Sequence, residues 1–138
     1  MQIPGYEHFE QIGESPVATF WQAFQPELNR PVDIEFIKPQ AILDPAVRAE
    51  FLLNVRAAAG VKHAAIAQIF DIREMGTTLA VAREHLTGFS LRQWLRQRGA
   101  LKEEKALTIA RWVAEGLNFL HAKTGFCHLA LSPDFIWR

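Results

Sequence analysis

Past Gly88 the apolar pattern of this chain turns wholly to a helical period, and that change limits the folds open to it. Before Gly88, runs rich in Phe, Val, Ile, Thr and Trp are separated by turn residues. After it, apolar residues recur every three or four positions, the spacing of a helix face. Residues 6–13 and 17–25 read as strands joined by the turn Gly13-Glu14-Ser15-Pro16. A second turn, residues 26–31, leads into the strand Val32–Ile37. There Val32, Ile34 and Phe36 alternate with Asp33, Glu35 and Ile37, so two acids share a face with one apolar residue. Ile66–Ile72 and Thr78–Glu84 read as two more strands, joined by Glu74-Met75-Gly76-Thr77.

Three segments read as helices. Asp44-Pro45 opens the first, because Asp accepts from free backbone N–H groups and Pro suits the first helical position. Its expected apolar stripe is Val47, Phe51, Leu52, Val55 and Ala59, with Gly60 as a left-handed stop. Ser90-Leu91-Arg92-Gln93 is a capping-box signature that starts a short helix closed by Gly99. Lys102–Lys123 is the longest helix, with Ala106, Ile109, Ala110, Val113, Leu117 and Leu120 on its buried side. Strands that precede helices in this way give an α+β fold, not a wound parallel sheet.

Composition narrows the function classes. Lysine plus arginine equals aspartate plus glutamate at 15 each, so no global charge points to nucleic acid or an anionic membrane. No apolar run approaches the roughly 20 residues that span a bilayer, and Met1–Gly5 lacks signal-peptide regions. The single Cys127 excludes an internal disulfide and suits a reducing, cytoplasmic compartment, where it is expected to pack as a small apolar residue. The five histidines show no metal-ligand spacing, and His63 and His128 are expected to be packed structural residues.

These elements, in this order, resemble a bacterial-type serine/threonine protein kinase domain. Ile12-Gly13-Glu14 and Ala18-Thr19-Phe20-Trp21 match the glycine-rich loop and second strand; Arg30–Glu35 matches the strand that carries the ATP-binding lysine. Phe51–Arg56, with His63 soon after, matches the regulatory helix. Leu120–Lys123 and His128–Pro133 match the approach to the catalytic loop and the loop itself. The resemblance implies a kinase-like N-lobe over residues 1–87, a five-stranded antiparallel sheet plus one helix, and the first helices of a truncated C-lobe over residues 88–138.

Residue by residue, the same match departs from kinase chemistry, which needs a glycine-rich turn, a lysine, a helix glutamate, an aspartate base and metal ligands. Gly13 remains, but Ser15 and Ala18 stand at the second and third glycine positions, and Pro16 removes a backbone donor. Glu35 takes the lysine position and Asn54 the helix-glutamate position. Glu50, one turn earlier, would meet another acid, and Lys38 is expected on the opposite side of the strand from Glu35. Ala130 takes the base position, Ser132 the loop-lysine position and Phe135 that of the metal-binding asparagine. The expectation is a pseudokinase: not an enzyme, without cofactor or metal.

The resemblance places Arg83 at the gatekeeper position, close to Glu35, and an ion pair between them is expected to fill the nucleotide pocket. Asp33 either joins that pair or fills the adenine slot; the plain alternative is that Asp33 and Glu35 are solvated residues on an open sheet face. Arg92, Arg96 and Arg98 are expected on a solvated helix face. The long helix, with Trp112 and Phe119 flanking its apolar side, is expected to bind a protein partner or a second copy. The leading functional expectation is a scaffold or subunit of a larger assembly; the alternative is a nucleotide-binding regulatory domain without phosphotransfer.

Overall fold

The structure is a computed structural model of the chain, and it describes residues 2–125, 134, 136 and 137. The chain divides into two compact units, residues 1–60 with 68–85, and residues 61–67 with 86–138.

The first unit is a five-stranded antiparallel sheet in the order β1-β2-β3-β5-β4, with one helix. Its strands are β1 (Glu7–Glu14), β2 (Ala18–Gln25), β3 (Arg30–Ile37), β4 (Ile69–Met75) and β5 (Thr78–Glu84). The helix is α1 (Pro45–Ala59), and short 3-10 turns occupy Pro26–Leu28 and Pro39–Ile42. The alternation in β3 sorts its residues onto two faces. Val32, Ile34 and Phe36 are buried with Ala23, Ala80, Ala82, Ile3 and Tyr6. On the other face, Ile37 packs with Ala18, Leu79, Ile42 and Leu52 of α1. This arrangement bears out the α+β expectation and its antiparallel sheet.

Local chemistry explains the boundaries. Asp44 caps α1 by accepting from the Ala46 N–H at 2.8 Å, and Pro45 stands at the first helical position. The stripe on α1 is narrower than its spacing suggests: Leu52 is buried, but Val47 is 46% exposed. Gly60 ends α1 at φ −81°, in the right-handed region, so its left-handed role is corrected. The fourth strand begins at Ile69, not Ile66. Residues 63–66 form a turn in their place, with Ile66 N–H donating to His63 O at 3.1 Å and Ala65 N–H to His63 Nδ1 at 3.0 Å. The edge strand β1 is irregular. Its register with β2 breaks twice, and His8 adopts φ 58°.

The second unit contains α2 (Leu91–Arg98) and α3 (Glu103–Thr124). Ser90 and Gln93 close the capping box on α2 in both directions. Gly99 follows α2 at φ 75°, which a glycine adopts without strain. On α3, Gly116 is the buried residue, and a Cβ there would lie 3.2 Å from the Ala65 Cβ. Ala110, expected on the buried side, is exposed. Among the described residues, no helix is long and apolar enough to cross a membrane.

Candidate functional site

On the α1 side of the sheet, four ionisable side chains from neighbouring strands stand in two diagonal pairs. β3 and β5 run antiparallel with Asp33 opposite Arg83 and Glu35 opposite Val81. Directly opposed residues share a face, and long side chains reach the diagonal neighbour. Arg83 takes that diagonal, and its Nη2 donates to Glu35 Oε2 in an ion pair. Just past the end of β5, His85 Nδ1 lies 2.7 Å from Asp33 Oδ1. Exposure of the four side chains runs from 19% to 34%, so each is partly withdrawn from water. A carboxylate at that depth costs desolvation free energy that a partner offsets.

Asp33 is therefore not in the Glu35 pair, although Arg83 is its cross-strand neighbour; it bonds His85 instead. His85 escaped notice as a partner in the sequence. The available signal was the strand's period of two, which puts His85 on the face of Arg83. Arg83 Nε is buried and has no partner among the described residues.

The β1–β2 turn is closed by Ser15. Its Oγ accepts from the N–H groups of Val17 at 3.3 Å and Ala18 at 3.1 Å, while Ser15 N–H donates to Ala18 O at 2.8 Å. Gly13 precedes this turn, and a Cβ there would meet the Phe20 side chain, at 3.7 Å from its ring, an ordinary contact. Lys38 leaves the end of β3 towards the turn, with Nζ 2.6 Å from Glu14 Oε1. Its own N–H donates to Val17 O at 2.8 Å.

On the opposite face, Tyr6 Oη donates to Asp71 Oδ2 at 3.2 Å, and Arg73 Nε lies 2.7 Å from the same oxygen. Burial first, and then the Asp71 charge, push the Tyr6 hydroxyl above its usual value of 10.0.

Asn54 is half-buried on α1, and Glu50 is exposed. Ala130, Ser132, Phe135, Cys127 and His128 lie outside the described residues. In the second unit, Phe119 does not stand open. Its ring lies 4.8 Å from that of His63, and the Lys123 ammonium sits 5.6 Å above it. Trp112 is 52% exposed and Leu107 63%. Arg92 bonds Asp134 at 2.7 Å, and Arg98 lies 4.3 Å over Trp94, so two of the three arginines of α2 are engaged. Among the described residues, no group of three histidine, cysteine or acidic side chains could hold a metal ion.

Comparison with known proteins assigns the fold to a family. The protein kinase domain family matches residues 6–136, and the chain belongs to that family. A probable serine/threonine-protein kinase of Clostridium acetobutylicum is 28% identical over 131 residues, covering 95% of this chain and 20% of the relative. The serine/threonine-protein kinase PknD of Mycobacterium tuberculosis is 27% identical over 135 residues, covering 98% of this chain and 20% of the relative. The chain thus spans about a fifth of the length of the curated relatives it matches. Among solved structures, the Mycobacterium tuberculosis PknI kinase domain superposes with a TM-score of 0.86 at 22% identity, covering 97% of this chain and 54% of that one. That likeness shows the fold: the N-lobe sheet and helix and the start of the C-lobe.

These relatives correct one expectation. The replaced side chains point away from an enzyme, yet the proteins this chain matches are named serine/threonine kinases. The physical reason is one of scope. Side chains weighed singly do not decide catalysis, which belongs to a whole constellation, and this chain spans only a fifth of its relatives.

Proposed function

We propose that this chain is the sheet lobe and leading C-lobe helices of a kinase-family protein, and that it serves as a protein-binding module within a larger assembly. The observation that carries this reading is the Glu35–Arg83 pair, supported by Asp33–His85 beside it. Where the family resemblance puts a phosphate-binding lysine, this face presents a carboxylate that already holds a cation. A second carboxylate is likewise engaged. Such a face keeps the strands in register without a ligand and offers a polyphosphate little free positive charge. The partner surface belongs to α3, where Leu107 and Trp112 are exposed.

The test is a pair of measurements on the chain. Millimolar magnesium-ATP is expected to move the melting temperature by less than about 1 °C, because a ligand that does not bind the folded state adds no stability. A shift of several degrees overturns the reading. The double substitution Glu35→Lys with Arg83→Met is expected to gain a shift. Sedimentation of the wild type against Trp112→Glu reads the α3 surface, with loss of the associated species expected in the variant.

A second reading is favoured by the names of the relatives. In it the lobe binds nucleotide, and the longer protein transfers phosphate to serine or threonine. Label moving from the γ-phosphate of ATP to a serine-containing protein substrate, in a preparation of the longer protein, would select it.

A further inference from the structure

We propose that copies of this chain associate head to tail, with the acidic edge strand β1 of one copy against the basic α2 segment of the next. The contact uses other residues than Leu107 and Trp112 of α3, so it goes beyond the reading just given and is tested apart from it. A net charge of zero hides two units of opposite sign. The first unit carries eleven acidic and six basic side chains, a formal charge of −5, and the second carries nine basic and four acidic, a formal charge of +5. Zero net charge removes the mutual repulsion that keeps charged copies apart. The opposite units then make each copy the electrostatic complement of its neighbour, which is why the occupant is a second copy and not a foreign acidic protein.

Existing ion pairs narrow the surplus to two surfaces. Lys38, Arg48, Arg73 and Arg83, four of the six cations of the first unit, already hold acids of that unit. On β1, Glu10 is exposed with no ion-pair partner among the described residues, and the exposed Glu7 has His8 alone, at 3.8 Å. β1 ends the sheet order with β2 as its one strand partner among the described residues, so a neighbour can approach its outer edge. In the second unit, five of the nine cations fall within residues 92–105. Arg92 holds Asp134 and Arg98 lies over Trp94, whereas Arg96 and Lys102 are exposed without an ion-pair partner among the described residues. Glu103 and Glu104 interrupt this run, but they sit in the first turn of α3, where the helix N-terminus offsets part of their charge. A contact between two different surfaces leaves one of each unused in every pair, so it builds rings or open chains.

The test is sedimentation velocity on the chain across protein concentration and salt. At about 20 mM salt, where charges act over roughly 20 Å, the wild type is expected to form species beyond the monomer that grow with concentration. At about 0.5 M salt the association constant is expected to fall at least tenfold. Arg96→Glu with Lys102→Glu, and separately Glu7→Lys with Glu10→Lys, are each expected to lose the association. An equal mixture of the two variants is expected to regain it, because the intact β1 edge of the first meets the intact α2 of the second. A wild type that stays monomeric at low salt overturns the proposal, as does association that both pairs of reversals leave unchanged. Should a reversed variant fail to fold, the wild type still decides, since association indifferent to salt also overturns the proposal. A monomeric wild type that binds polyglutamate through Arg96 and Lys102 would give α2 a foreign acidic partner and remove the second copy. Association that persists at high salt and is lost in Trp112→Glu would belong to α3, overturning this contact and leaving the α3 reading in place.

Discussion

The two faces of the sheet are built from the same strands by different means. One is a hydrocarbon layer: Val32, Ile34 and Phe36 of β3 lie against Ala80 and Ala82 of β5 and are covered by Ile3 and Tyr6. The other begins the same way at Ile37 and Leu79, under Leu52 of α1, and then gives way to Asp33, Glu35, Arg83 and His85. Burial on the first face is non-directional and tolerates volume-conserving apolar exchanges best. The second is directional, because each carboxylate needs its own partner at a diagonal position. The strands are therefore fixed in register twice, by packing on one side and by charge pairing on the other.

The largest expected effect lies on the apolar face. Ile34 is 1% exposed, and Ile34→Ala is expected to cost about 3 kcal/mol in urea unfolding, through lost burial and the cavity left behind. A cost near zero would mean that the polar pairs, not the core, hold β3. Next comes Arg83→Met, which leaves Glu35 half-buried without its cation and is expected to cost about 2 kcal/mol. The double variant Arg83→Met with Glu35→Met should recover most of that loss. No recovery would show that Arg83 acts through something other than Glu35.

The smallest effect is Tyr6→Phe, about 1 kcal/mol for one hydrogen bond to Asp71. Its signature is alkaline. The Tyr6 hydroxyl is held above 10.0 in the fold, so the unfolded chain loses that proton first as pH rises. The stability that Tyr6 contributes is present below pH 10.0 and declines as pH climbs through the raised folded value. Thermal melts across that range are expected to fall more steeply in the wild type than in Tyr6→Phe, and parallel curves would remove Tyr6 from the account.

The sequence made most of the fold legible wherever a residue's local role and its tertiary role agree. Asp44 and Ser90 cap their helices because their side chains have backbone N–H groups to serve, whatever the helices later touch. The alternation in β3 was legible for the same reason, since period two needs no knowledge of the partner strand. What escaped depends on neighbours distant in the chain. Ile66 has a strand former's shape, but His63 accepts from the Ile66 and Ala65 N–H groups and bends the chain before β4 starts. Val47 falls on the apolar spacing of α1, yet the helix buries Leu52 and leaves Val47 exposed. The Asp33–His85 bond needed the β3–β5 register, which residue types alone do not set. Ser15 read as a lost glycine because its position was compared with a pattern; its two amide contacts appear only once the turn is folded.

The irregular edge strand β1 carries a consequence for how this lobe behaves in company. An unbroken outer strand is a template on which another chain can build, the first step towards fibrils and strand exchange. The two register breaks and the left-handed His8 interrupt that template, and the strand carries Glu7, Glu10 and Glu14 besides. Along this edge, copies of the lobe brought side by side would therefore meet through side chains and not by adding strands to β1.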